Sequence, residues 1–154
     1  MVNKINKIKW DNVDNFESYE FDDPSNKGSG DDINIELLLK LSLLREKTGW
    51  PIVTHWQVGG CVDVDGSHGH SSNSYHLLKN GAGAADFHFN TTTSIRVQFY
   101  NVLNAGFSGI GCYYDWHWDN KLLPIGFHVD VRPIETTQIW KREKMEYIYL
   151  MNRW

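Results

Sequence analysis

The chain has 154 residues, of which 41% are hydrophobic and 22% charged, the balance of one globular domain able to bury a core. Its formal net charge is −4, and its basic residues gather near the two ends, at Lys4, Lys7, Lys9 and at Lys141, Arg142, Lys144; without a basic patch for phosphates, nucleic acid is not an expected partner. Two cysteines, Cys61 and Cys112, are too few for a disulfide scaffold and read as free thiols; no run of ~20 apolar residues predicts membrane insertion, and no signal-peptide core follows Met1, so the expectation is a protein made in the cytoplasm that something else must release.

Residues 1–20 are polar with isolated aromatics, among them Trp10, Phe16 and Tyr19, and read as an N-terminal arm on a domain spanning 21–154. Residues 22–30 form a loop by composition. A helix follows, capped by Asp31 or Asp32, with Leu37, Leu38, Leu41 and Leu44 as its apolar stripe; Gly49 and Pro51 end it. Residues 51–56 read as a short strand, and 63–74 as a loop rich in Gly, Ser, His and Asp. That loop holds His68 and His70, a pair able to chelate a metal but read here as solvent-facing or part of a substrate rim.

The residues 86–89 predict a strand with Asp86 and His88 on one face and Phe87 and Phe89 on the other. A second helix is expected over 94–105, with Ile95, Phe99, Val102 and Leu103 inward. Strands are expected over 110–114 and 127–131, the latter placing His128, Asp130 and Arg132 on one face. The terminal element, about 137–149, fits a helix or a strand. The sum is an α+β domain: a small, mainly antiparallel sheet with helices on one side and a wet face bearing Asp86 and His128, with His76 nearby.

His76, Asp86 and His128 form a candidate three-ligand set. Two imidazoles and one carboxylate leave an open position on Zn2+, where bound water ionises near neutrality. His88 shares the face of Asp86 and is an alternative ligand. Asp130 is the first candidate for the catalytic base; the other role open to it is to orient a ligand histidine through its second nitrogen. Asp115, His117 and Asp119 lie in a nearby loop and are alternatives. Arg132 is a candidate for binding a substrate carboxylate, or else a surface ion pair. There is no H-E-x-x-H helix, no zinc-finger cysteine spacing, no Walker loop and no G-x-S-x-G elbow.

At these residues the chain resembles the M15 peptidases, the zinc D-Ala-D-Ala carboxypeptidases and peptidoglycan endopeptidases. Ser74-Tyr75-His76 and Ala84-Ala85-Asp86 resemble the two ends of the family's first motif. Gly109-Ile110-Gly111-Cys112-Tyr113 and Phe127-His128-Val129-Asp130 resemble its later segments. Gly49-Trp50-Pro51-Ile52-Val53-Thr54 and Val58-Gly59-Gly60 are similar to the strand and turn that enter the site. The likeness covers about residues 20–140, in order. It implies the M15, Hedgehog-like fold, Zn2+ on His76, Asp86 and His128, Ser74 as a supporting polar group, and hydrolysis of peptidoglycan stem peptides. Members without an export signal are typically phage lysis or virion enzymes.

Three departures accompany the resemblance. The segment from His76 to Asp86 is three residues longer than the family's. Gln57 stands where members carry a substrate-binding arginine, which favours endopeptidase over carboxypeptidase action unless Arg132 compensates. An aromatic insert, Trp116-His117-Trp118, precedes His128 and is expected to wall or narrow the groove. Two further readings stand beside the peptidase: a non-enzymatic virion or structural protein that keeps the fold, and a metal-dependent amidase of another substrate.

Overall fold

The structure is a computed structural model and describes residues 8–118 and 120–150. Asp119, one of the alternative catalytic groups, lies outside the described residues, as do Lys4 and Lys7.

The helix α1 (Ile35–Thr48) starts at Asn34, whose side chain accepts hydrogen bonds from the N–H groups of Glu36 and Leu37 at 2.9 and 3.2 Å. Asp31 and Asp32, the expected caps, sit instead in a 3-10 turn, Ser29–Asp32. Ile33 follows that turn in an extended conformation and is buried in the core, so the helix begins only after it. Gly49 ends α1 at φ +68°, where its N–H closes on the Arg45 carbonyl.

The helix α2 (Ile95–Asn104) turns Val102 into the core and packs Ile95 and Phe99 against it. Leu103, expected inward, is 37% exposed. It lies about 100° around the helix from Val102, and Gln98, four residues before Val102, takes the buried place with its Nε2 donating to the Thr93 carbonyl.

Six strands form one open sheet: β1 (Ile52–Thr54), β2 (Ala84–Phe89), β3 (Gly109–Tyr113), β6 (Gly126–Asp130), β7 (Gln138–Glu143) and β8 (Glu146–Tyr149), in the order β1-β2-β6-β3-β7-β8. Every neighbouring pair is antiparallel except β3 with β7. β4 (His117–Trp118) and β5 (Lys121–Leu122) make a separate hairpin within the aromatic insert. The ambiguous terminal element is a β-hairpin; Lys144 and Met145 turn it at φ +49° and +64°, the two left-handed positions of a tight hairpin.

The pleat separates two faces. One carries Ala85, Phe87, Phe89, Ile110, Cys112, Phe127 and Val129 into a single core with the four leucines of α1 and Val102 of α2. Phe21 joins that core, and so does Phe16 from the segment expected as an arm. Both cysteines are free and buried. The opposite face carries the chemistry. Among the described residues no helix is long and apolar enough to cross a membrane.

Candidate metal centre

Register brings the two strand ligands together. Asp86 on β2 pairs directly with His128 on β6, and both point to the face away from the helices. His76 arrives from the loop before β2, and its Nδ1–H donates to the Cys61 carbonyl at 3.0 Å. That bond fixes the tautomer, leaving the lone pair of Nε2 to face the site. On His128 the roles are reversed: Nε2–H donates to Asp130 Oδ2 at 3.0 Å, so Nδ1 faces the site.

Three electron-pair donors therefore converge. His76 Nε2 lies 3.1 Å from His128 Nδ1, His128 Nδ1 lies 2.9 Å from Asp86 Oδ1, and His76 Nε2 lies 3.4 Å from Asp86 Oδ1. Ligands held tetrahedrally at about 2.0–2.1 Å from zinc are separated by roughly 3.3 Å. With both histidines neutral there is no proton among the three atoms, and the three could hold a cation between them. The same capacity appears in the protonation of the metal-free site. Burial works against charge on His128, but hydrogen bonds to Asp130 and Asp86 outweigh it and lift its pKa to about 9. Asp86, despite burial, is held well below the usual carboxylate range by His76 and His128. The site binds positive charge, whether a proton or a metal ion.

The segment between His76 and Asp86 is compatible with this geometry. It folds into a 3-10 turn, Leu78–Asn80, closed by Gly81 at φ +99°, and Asn80 ties the turn back to the carbonyls of Ser72 and Ser74. Gly83 N–H then bonds the Tyr75 carbonyl, so the chain enters β2 next to the residue it left. The segment is a self-contained loop.

Behind His128 stands Asp130, fully buried and on the side away from the open position. Arg132 grips it, with Nε donating to Oδ1 at 2.7 Å and Nη2 to Oδ2. Arg132 Nη1 bonds Gln138 Oε1 at 2.8 Å, and its guanidinium lies 5.1 Å from the Tyr75 ring and 5.5 Å from that of Trp140. Of the two roles weighed for Asp130, this placement favours orienting His128. It also spends Arg132 on the carboxylate rather than on a substrate. Glycine makes room for the arrangement: a Cβ at Gly109 would lie 2.3 Å from Asp130 Oδ2, and one at Gly111 would lie 2.5 Å from Trp140 Nε1.

The triad opens into a cleft of about 420 Å³, lined by His70, Ser74, Tyr113, Trp116, Arg142 and Tyr147 as well as the three ligands. Two larger hollows, about 670 and 730 Å³, lie along the segment from Ile8 to Glu20; they hold none of the convergent ligand atoms, so size does not select the site. Ser74 reaches the cleft and accepts from the His76 N–H at 3.3 Å. Gln57 does not; it is exposed on the 3-10 turn Trp56–Val58. Trp116 walls the cleft, stacked on Tyr113 at 4.5 Å and edge-on to His55 at 4.7 Å. His117 is exposed and bonds the Asp115 carbonyl. His88 is occupied by His55, with nitrogens 2.8 Å apart.

His70 is the residue that sequence reasoning placed on a rim and that the fold brings into the site. Its ring stacks on His76 at 4.2 Å, and a ligand atom of His70 lies within 4.8 Å of those on His76 and Asp86. Its Nδ1–H donates to the fully buried Asp63 at 2.8 Å, which leaves Nε2 unprotonated. A second group, Asp23, Asp63 and His68, also has ligand atoms within 4.8 Å of one another. Its carboxylates accept from the N–H groups of Ser25, Val64 and Gly66 and from the two loop imidazoles, and so fix the loop that carries His70. The H-x-H spacing was the available signal; what it lacked was the buried carboxylate behind each ring.

Comparison with family models, curated proteins and solved structures returned no match to this chain.

Proposed function

We propose that this chain is a metal-dependent peptidase of the M15 kind, using Zn2+ held by His76, Asp86 and His128 to hydrolyse peptide bonds. One observation carries the reading: two imidazole lone pairs and a carboxylate oxygen meet within 3.4 Å at the floor of an open cleft. Their chemistry fits zinc, and a zinc ion so bound supplies a Lewis acid and an ionisable water. The chain's own residues supply the rest. Asp130, clamped by Arg132, holds His128 with Nδ1 toward the site. His70, backed by Asp63, presents an unprotonated nitrogen to the cleft and is placed to take and return a proton. Tyr113 and Trp116 form an apolar wall against which a peptide can lie. The peptidoglycan stem peptide as substrate rests on the sequence resemblance, as does action at a cell wall, in the manner of phage-type members.

A second reading is favoured by one feature. Among the described residues lining the cleft, Asp86 is the sole carboxylate, so if His70 does not serve as base the protein is a metal-binding relative without turnover. Elemental analysis of the purified protein, paired with peptidoglycan digestion with and without chelator, decides between them. Near-stoichiometric zinc with chelator-sensitive release of peptide fragments is expected. Zinc without release from any wall type supports the non-enzymatic relative, and absence of bound metal overturns both.

A further inference from the structure

Arg142 is the charged group in the cleft that nothing above employs. It stands on β7 beside Tyr113 of β3 and opposite Tyr147 of β8. Its side chain is only 14% exposed. Nε donates to Asp115 Oδ1 at 2.8 Å and Nη1 reaches the Tyr147 hydroxyl at 3.4 Å. The other oxygen of Asp115 is taken by the Met145 N–H at 2.7 Å, so the carboxylate positions the guanidinium through one oxygen rather than as a bidentate pair. A guanidinium carries five N–H donors; two are spent among the described residues, and Arg142 is one of the residues that line the cleft. Beneath it the Tyr113 ring lies 4.5 Å away, and Tyr113 stacks in turn on Trp116. A fork held over an aromatic ring, mostly withdrawn from water and with donors to spare, is arranged for a planar anion.

We infer that Arg142 forms a carboxylate-binding subsite that holds a carboxylate of a bound peptide beside the metal centre. The inference rests on the peptidase reading for its substrate class. It moves the role assigned in sequence to Arg132, or denied by Gln57, onto the C-terminal hairpin. Arg132 is committed to Asp130, Gln138 and two rings, and Gln57 is outside the cleft. The carboxylate has two possible sources, the free C-terminus of the peptide or an acidic residue within it.

The test uses short N-acetylated peptides of equal length: one with a C-terminal carboxylate, its C-terminal amide, and the same amide with one internal glutamate. Binding is followed by tryptophan fluorescence, on the protein as purified and again after chelation, so that contact with metal cannot account for the preference. At least one carboxylate-bearing peptide should bind roughly tenfold or more tightly than the neutral amide, and which one does so identifies the source. Arg142→Gln should erase the preference in both states, and Arg142→Lys should keep part of it. Thermal unfolding checks that each variant is folded; should Arg142→Gln fail to fold, a full wild-type preference in Arg142→Lys overturns the inference. A wild-type protein without the preference, or an Arg142→Gln variant that keeps it, overturns it as well. Failure of hydrolysis with an Arg142-dependent preference intact would sink the peptidase reading and leave the subsite standing.

Discussion

At the scale of single residues, the site is a set of imidazoles whose outer nitrogens are each committed before the inner ones meet. His76 is fixed by a backbone carbonyl, His128 by Asp130 and His70 by Asp63. This division of labour separates two variants. Asp130→Ala leaves the His128 Nε2–H and the Arg132 guanidinium without their carboxylate, and metal affinity should fall by roughly 10–100-fold, measured by competition with a chelating dye. His70→Ala should leave one bound metal with near-normal affinity while turnover drops by roughly 10²–10⁴-fold, the usual contribution of a general base. Equal loss of metal in His70→Ala and His128→Ala would instead make His70 a ligand. The meeting of His76, Asp86 and His128 was anticipated in sequence because two histidines and an aspartate, two of them on strand-like runs, are a chemical pattern. Which of its two roles Asp130 is placed for, and where Arg132 and Arg142 lie, were not, because they depend on which side of a ring a carboxylate lies and on which arginine the sheet turns inward.

At the scale of elements, the centre depends on glycines in β3 as much as on the side chains they face. Gly109 pairs with Asp130 and Gly111 with His128, and neither has space for a methyl group. Gly109→Ala should push the Asp130 carboxylate out of place, destabilise the fold by roughly 1–3 kcal/mol as overpacking does, and weaken metal binding in the same variant. Denaturant unfolding and dye competition read the two effects, and a variant with wild-type metal affinity would mean that Asp130 does not hold His128 in place. The strands β2, β3 and β6 were readable from alternation, because one face of each is apolar. The cap of α1 was misread because Asp31 and Asp32 are good capping residues whose position is overruled by the burial of Ile33. The hairpin β7–β8 was ambiguous because β8 is exposed throughout, and an edge strand without a buried face has no clear period.

At the scale of the whole molecule, folding and metal loading are coupled through one proton. In the metal-free protein His128 has its pKa raised to about 9, above the value near 6.5 of an unfolded histidine. The folded state therefore keeps a proton that the unfolded chain has lost, and the stability this confers is fully present below about pH 6.5 and lost as pH rises through about 9. The histidines with lowered pKa act in the opposite sense. His55, pushed down to about 4 by burial against a partial offset from Asp86, and His70 and His88, also lowered by burial, are neutral in the folded state above about pH 6.5 while the unfolded chain still holds part of their protons, so they add stability as pH rises until the unfolded histidines are neutral too. Groups remote from the ligand atoms contribute alike with and without metal, so between pH 6.5 and 8.5 the chelated protein should fall behind the loaded one by at most about 1.4 kcal/mol per pH unit. Metal replaces that proton, so the loaded protein should be more stable by a margin that widens with pH over the same range, and loading near pH 7 should release about one proton. Denaturant titrations at several pH values, with and without chelator, measure the slopes; calorimetry in buffers of different ionisation enthalpy counts the proton. A margin between loaded and chelated protein that does not widen over this range would show that His128 is neutral without metal, and that the proton and the metal do not compete for the same three atoms.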